Sequence, residues 1–359
     1  MYKKKISFLL LATIISLSMF TSCEKEPQQE NIPIKTSGVY VLNAGKFKNN
    51  NSSMSYYDVE SSKVVSTIFL DKNGRGLGDT GQDMLVYGSK LYVSVYKSGL
   101  IEVVEPKTAK SIKTIKMING QGEQRSPRTL TAFNGKVYVV LYEGYVVAID
   151  TLTFGLSPEL QVGPNPDGSV IANNKLYVAN SGGMQEVKDS TVSVVDLAQF
   201  KEIKKITVNM NPQVLKADSK GNIYVVSQGN YKDIAGKFQK ISNDDVIVSD
   251  IDIKGVKNFD VVKDKAYIST YDYDDSWQAV NKKIMVYDMM SNKLISENIV
   301  NTEIEKTPYS LDVNPITNEI YLGVTDYVNN GKIYCFQEDG SLKYTFEVGL
   351  NPCKTVWLY

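Results

Sequence analysis

The side chains of this 359-residue chain that could do chemistry are mostly rings, amides and a few charges. Histidine is absent, which removes the commonest general base and the commonest metal ligand together. Besides Cys23 the only cysteines are Cys335 and Cys353, and two thiols without an imidazole do not build a structural zinc site. A disulfide and two buried free thiols both remain open for that pair, with the demanding geometry of a bridge favouring the thiols. No Gly-x-Ser-x-Gly elbow occurs, and Ser-His and Cys-His pairings are excluded. Asp272, Asp274 and Asp275 lack the glycine and distal glutamate of a calcium loop and read as solvated carboxylates. Gly74-Arg75-Gly76-Leu77-Gly78 is glycine-rich, but a strand rather than a helix follows it, so it is no dinucleotide fingerprint. The expectation is a protein that is not an enzyme and uses neither cofactor nor metal.

What remains suits binding. Aromatic and amide side chains crowd a few loop segments: Phe47, Asn49, Asn50, Asn51, Tyr231, Tyr271, Tyr273, Trp277, Tyr327 and Asn329. Such a set fits a broad ligand held by area and a few directional hydrogen bonds. A second set opens short strands: Gln82-Asp83, Pro127-Arg128, Pro166-Asp167, Pro212-Gln213, Asn258-Phe259 and Pro308-Tyr309. Proline suits a first strand position, where no ladder donor is needed. Arg128 and Asp167 could clamp a polar group or pair with each other. The candidate ligand-binding residues are Tyr96, Arg128, Tyr142, Asn180, Tyr231, Tyr271, Tyr273, Trp277, Tyr309 and Tyr327.

The elements that must position them repeat. Tyr40, Tyr92, Tyr138, Tyr177, Tyr224, Tyr267 and Tyr321 each sit in a short apolar β-run, spaced 52, 46, 39, 47, 43 and 54 residues apart. A period near 45 residues made of strands alone is the signature of a β-propeller with one four-stranded blade per repeat. In the second repeat the strands read Gln82 to Tyr87, Lys90 to Tyr96, Leu100 to Glu105 and Ser111 to Met117. The first repeat begins at Gly38 without an inner strand, and Asn351 to Tyr359 reads as an inner strand with nothing after it. The fold is therefore expected to be all-β, a seven-bladed propeller closed by the C-terminal strand joining the N-terminal blade. Loops between first and second strands, such as Phe133-Asn134-Gly135 and Asn173-Asn174, are tight. Those between second and third strands are long: Asn43 to Ser53, Asn180 to Ser190, Gln228 to Lys237, Tyr271 to Asn281 and Thr325 to Gly331. The Leu70 to Thr80 connection lies on the same side. Long loops on a rigid scaffold carry binding residues, so that face is expected to be the working surface.

The chain opens with Lys3-Lys4-Lys5, an apolar run from Ile6 to Phe20, and Thr21-Ser22-Cys23. This pattern describes a secretory signal, and the cysteine after small residues resembles a bacterial lipobox. The expected division is a signal peptide at 1–22, a flexible tether at 23–36 behind a lipidated Cys23, and the propeller at 37–359. Glu24 and Glu26 resemble the surface-export signal of Bacteroides-type lipoproteins. Lys+Arg and Asp+Glu both number 40, a net charge of zero, which gives no field directed at nucleic acid or an anionic membrane.

Leu77-Gly78-Asp79-Thr80-Gly81-Gln82-Asp83-Met84, Asn180-Ser181-Gly182-Gly183, Thr191-Val192-Ser193-Val194-Val195-Asp196 and Pro308-Tyr309-Ser310-Leu311-Asp312-Val313 resemble the YncE-type propeller family. More narrowly, they resemble surface lipoproteins of Bacteroides with the DUF5074-type propeller. The chain is similar in lipid anchor, blade number and all-β body to the BtuG corrinoid-binding lipoproteins. That resemblance implies an outer-membrane, surface-exposed protein that binds a corrinoid and hands it to a TonB-dependent transporter. With no imidazole to reach cobalt, recognition would rest on shape, rings and amides. A protein- or glycan-binding scaffold in an uptake complex is the first alternative. A quinoprotein-like or lyase propeller enzyme, using tyrosine, lysine or carboxylates, is the second.

Overall fold

A computed structural model describes residues 34–359. The expected signal peptide, Cys23 and most of the expected tether lie outside the described residues. Residues 34–359 form one compact unit of seven four-stranded antiparallel sheets. The first blade is composite: Pro352–Leu358 is its inner strand, followed outward by Gly38–Asn43, Ser53–Asp58 and Lys63–Val65. The other inner strands are Gly81–Tyr87, Pro127–Phe133, Pro166–Ala172, Pro212–Ala217, Val256–Val262 and Thr307–Val313. Each inner strand touches the next, and Pro352–Leu358 touches both Gly81–Tyr87 and Thr307–Val313, so the ring is closed.

The second strands are buried on both sides, as Val39 to Leu42, Leu91 to Val93 and Leu176 to Ala179 show. A strand sandwiched between neighbouring blades has no solvent face, which is why these runs lack polar alternation. The core therefore lies between blades: Tyr40, Leu42 and Met54 of the first blade pack with Met84, Leu91 and Val93 of the second. The repeating tyrosines belong to this core. Tyr40 donates its hydroxyl to the Pro106 carbonyl at 2.7 Å, and Tyr177 donates to Asp245 at 2.8 Å, each reaching the next blade.

Inside the channel, carboxylates tie one inner strand to the next. Asp83 accepts from the Leu130 N–H at 2.8 Å, Asp260 from Val313 at 2.9 Å and Asp312 from Thr355 at 2.8 Å. Lys354 pairs with Asp312 at 2.5 Å and Lys216 with Asp260 at 2.6 Å. Burial pushes the Asp83 and Asp312 carboxyls above their ordinary value. Burial opposes the Lys354 cation, yet the surrounding carboxylates, Asp312 foremost, hold it above its ordinary value.

Three expectations change. The Leu70 to Thr80 connection opens within a short α-helix, Ile68–Asn73, that buries Ile68 and Phe69 and stops at Gly74 in the left-handed conformation. The Tyr271 to Asn281 segment is not an irregular loop: Lys265–Tyr273 and Ala279–Asp288 stay paired up to Tyr273 and Ala279, giving a projecting hairpin. Among the strand openings, Asn258-Phe259 is displaced by two residues from the true start at Val256, and Phe259 is a fully buried core residue. Cys335 and Cys353 are free thiols.

Candidate functional site

Every inner strand begins with a break in register. The shifts fall between Gly81 and Asp83, Pro127 and Leu130, Pro166 and Ser169, Pro212 and Val214, Val256 and Asn258, and Pro308 and Ser310. In the composite blade the shift releases Cys353. A bulge takes a residue out of the ladder and re-aims its side chain. Repeated seven times, it sets a ring of Cys353, Gln82, Arg128, Asp167, Gln213, Lys257 and Tyr309 at the channel mouth on the loop-rich face.

On one side of this ring the charges are spent on each other. Arg128 Nη2 donates to both Asp167 carboxylate oxygens at 2.6 and 2.7 Å, Nε donates at 3.2 Å, and Nη1 reaches Gln82 at 3.1 Å. The guanidinium also lies over Tyr96 and Tyr142, 5.4 and 5.0 Å from their ring centroids, and the two rings meet edge-on at 5.7 Å. Burial disfavours the cation, but the Asp167 carboxylate outweighs it and holds Arg128 above its ordinary value. Of the two roles open to Arg128 and Asp167, mutual pairing is the one the fold adopts. They brace the mouth.

The other side is open. Tyr271 meets Tyr273 at 5.4 Å, Tyr273 meets Trp277 at 6.0 Å, and Tyr309 meets Tyr327 at 5.9 Å. Burial and the Tyr273 hydroxyl push the Tyr271 phenol up, and burial pushes Tyr309 up to about 12. These phenols therefore stay neutral and able to donate at physiological pH. Tyr271 is only 9% exposed and supports the others, whereas Tyr231, Trp277 and Tyr327 are 69%, 80% and 47% exposed.

Those three exposed rings share a backbone feature. Tyr231, Trp277 and Tyr327 have φ of 60°, 60° and 63°, a conformation costing an L-residue roughly 1–2 kcal/mol. Each tip is fastened by an acidic or amide side chain that accepts two backbone N–H bonds. Asn230 serves Lys232 and Ile234, Asp274 serves Ser276 and Gln278, and Asp326 serves Val328 and Asn329. The same left-handed backbone occurs at turns of the opposite face, as at Asn134, Asn173 and Asn174, so what distinguishes these three tips is the exposed ring each one displays. The Tyr231 hydroxyl accepts from Gln213 at 3.1 Å, and Trp277 and Tyr327 stand against Tyr273 and Tyr309, so each ring keeps one contact within the fold while most of its face is displayed.

Asn180 does not join this surface. It is fully buried; its carbonyl accepts from Gly163 at 3.0 Å and its amide donates to Thr191 and Ser193 at 2.9 Å each. A Cβ on Gly163 would stand 2.3 Å from the Asn180 amide carbon, so the pair is a packed blade corner. Lys257 is the residue missing from the candidate set. Its signal was in the spacing: Val256 lies 11 residues before Tyr267, as Pro127 and Pro166 lie 11 before Tyr138 and Tyr177. The absent proline concealed it.

Concavities open elsewhere. One of about 660 Å³ lies on the flank, lined by Lys240, Asp250 and Tyr287. Another of about 650 Å³ lies at the tight-turn end of the channel, lined by Lys216, Asp218, Asp260 and Asp264. Asn134 and Asn174 line a smaller one of about 220 Å³ on that face. The loop-rich face thus offers a platform of rings around a mouth. Among the described residues no group of three or more histidine, cysteine, aspartate or glutamate side chains is arranged to hold a metal.

Residues 37–345 match a family model described as a domain of unknown function, DUF5074. No curated protein matches the chain significantly. Among solved structures, the chain is similar to a quinonprotein alcohol dehydrogenase-like protein from Bacteroides thetaiotaomicron (17% identity, TM-score 0.67, covering 90% of this chain and 78% of that one). It is also similar to a hypothetical selenium-binding protein from Sulfolobus tokodaii (12% identity, TM-score 0.68, 90% and 93% covered). A third likeness is to the Kuenenia stuttgartiensis hydrazine synthase (16% identity, TM-score 0.60, 74% and 85% covered). At these identities the likeness is one of fold.

Proposed function

The chain belongs to the DUF5074 family, and on that premise we propose that it is a non-enzymatic binding protein that captures a nutrient ligand on its loop-rich face. The observation that carries this reading is the set of three strained, exposed aromatic tips, Tyr231, Trp277 and Tyr327, standing around the channel mouth. Rings displayed in this way suit recognition by contact area, with Tyr273, Tyr309 and nearby amides supplying direction. With Arg128 and Asp167 paired to each other, rings and amides are prominent among the groups left to meet a ligand at the mouth.

In its sharpest form the ligand is a corrinoid, vitamin B12 or a precursor, passed on to a TonB-dependent transporter in the outer membrane. Support for this comes from the resemblance to corrinoid-binding surface lipoproteins and from the breadth of the aromatic platform. The lipobox at Cys23 supports a lipid anchor. Thr36, where the described chain enters the ring, is held by Asn314 on the tight-turn face, opposite the proposed ligand surface. A chain tethered from that side leaves the loop-rich face uncovered.

Calorimetric titration of the full-length protein with cobalamin and cobinamide tests the reading. Saturable binding lost in Trp277→Ala supports it. Absence of binding to both corrinoids removes the corrinoid form, and co-purification with a transporter without small-molecule binding favours the scaffold alternative. Turnover abolished by one loop-face tyrosine or carboxylate would instead establish an enzyme. Mass spectrometry of the mature N-terminus, in the wild type and in Cys23→Ala, tests the anchor.

A further inference from the structure

Of the seven residues released at the channel mouth, two are cations, and the fold treats them differently. Arg128 is locked to Asp167. Lys257 is half-buried, and among the described residues no carboxylate lies within 4.0 Å of its ammonium and no acceptor takes its three N–H bonds. Deeper in the channel Lys354 and Lys216 each have a carboxylate partner. The Lys257 ammonium lies 5.3 Å from the Tyr271 ring centroid and 6.0 Å from that of Tyr273. Two ring faces orient the cation without using its donors. Tyr273 in turn packs on the exposed Trp277, and Tyr309 and Tyr327 stand against each other nearby. The result is a positioned positive charge with free donors, bordered by displayed rings.

We propose that Lys257 is the anion-recognition point of an aromatic subsite with Tyr273, Trp277 and Tyr327, and that the ligand carries a phosphate group beside an apolar or unsaturated ring. A compact ammonium with three rotatable donors binds a phosphate as a point charge, and a tetrahedral phosphate offers it acceptor oxygens in several directions. This rests on the loop-rich face being the ligand surface and adds a chemical class to it.

The test uses two probe pairs on the full-length chain at low ionic strength. The flavin pair differs by the phosphate alone and the corrinoid pair by the whole nucleotide loop, so only loss of the preference in Lys257→Met assigns it to the phosphate. Flavin mononucleotide and riboflavin differ by a phosphate, and cobalamin carries a phosphodiester that cobinamide lacks. The phosphate-bearing member should bind about tenfold more tightly, as expected for a hydrogen bond to a charged group. The preference should shrink with added salt, vanish in Lys257→Met and survive in Lys257→Arg. Equal affinities within both pairs, or a preference untouched in Lys257→Met, would overturn the inference while leaving the ligand surface in place. A phosphate preference for the flavin alone would keep the subsite and remove the corrinoid. Failure of all four probes to bind would overturn both.

Discussion

Asn314 donates its side-chain amide to the Thr36 hydroxyl at 2.9 Å, joining positions 278 residues apart. Its carbonyl accepts from the Tyr359 hydroxyl at 2.8 Å, so one side chain in a turn of the seventh blade holds both ends of the described chain. Gly38–Asn43 and Pro352–Leu358 then zip together along their whole length. The closure is the reason the ring behaves as one unit.

Deleting residues 350–359 should cost far more than trimming an ordinary terminus. It removes the inner strand of the composite blade, with Val356 buried and Trp357 packed against Tyr321. Burial of such side chains contributes about 1.5–3 kcal/mol each, and the opened ring exposes the unpaired edge of Gly38–Asn43. Thermal unfolding checks this; an unchanged midpoint would refute the closure.

Lys354→Met should leave Asp83, Asp260 and Asp312 facing one another with only Lys216 to compensate. Breaking a buried pair costs about 3–5 kcal/mol. The Asp83 and Asp312 carboxyls are already raised above their ordinary value by burial, and losing the cation raises them further. A carboxyl whose folded pKa lies above its unfolded value loses stability as pH rises through that window. The deficit of the variant should therefore be largest at neutral pH and narrow toward pH 4, as urea unfolding at both values would reveal.

Trp277→Gly should separate folding from binding. The tryptophan is 80% exposed at a φ of 60°, so glycine relieves about 1 kcal/mol of backbone strain. Affinity for the ligand should nevertheless fall by about 1–3 kcal/mol, as for an aromatic anchor. Parallel melting and titration curves give both numbers, and a loss of stability with affinity intact would contradict the platform.

Asn180→Ala should do the opposite. The substitution strips partners from the Gly163 N–H and the Ser193 hydroxyl, at about 1–3 kcal/mol for each buried group left unsatisfied, while the Thr191 hydroxyl keeps its bond to Asp189. Binding by the folded fraction should be unchanged. Changes at Asn134 or Asn174, on the tight-turn face, should likewise leave affinity alone, and a ligand lost only in those two variants would place the site on the other face.

The blade count, the strand order within each blade and the C-terminal closure were legible in the chain because each depends on local pattern. Apolar runs with a tyrosine at their centre recur at a fixed period, and the unmatched segments at the two ends complete each other. The asymmetry between long and tight loops was legible for the same reason. What each polar or aromatic side chain does was decided by tertiary structure. Arg128 was a candidate clamp until folding placed the Asp167 carboxylate of the next blade 2.6 Å from it. Asn180 looked like a loop residue until strand pairing buried it against Gly163. Lys257 has a sequence signal only in the 11-residue spacing of Val256 from Tyr267, and the register shift after Val256 is what releases it into the channel mouth. A repeat is written in the spacing of residues along the chain. Whether a charge is spent or free depends on which partner another blade brings within hydrogen-bonding distance, and that is fixed only when the ring closes.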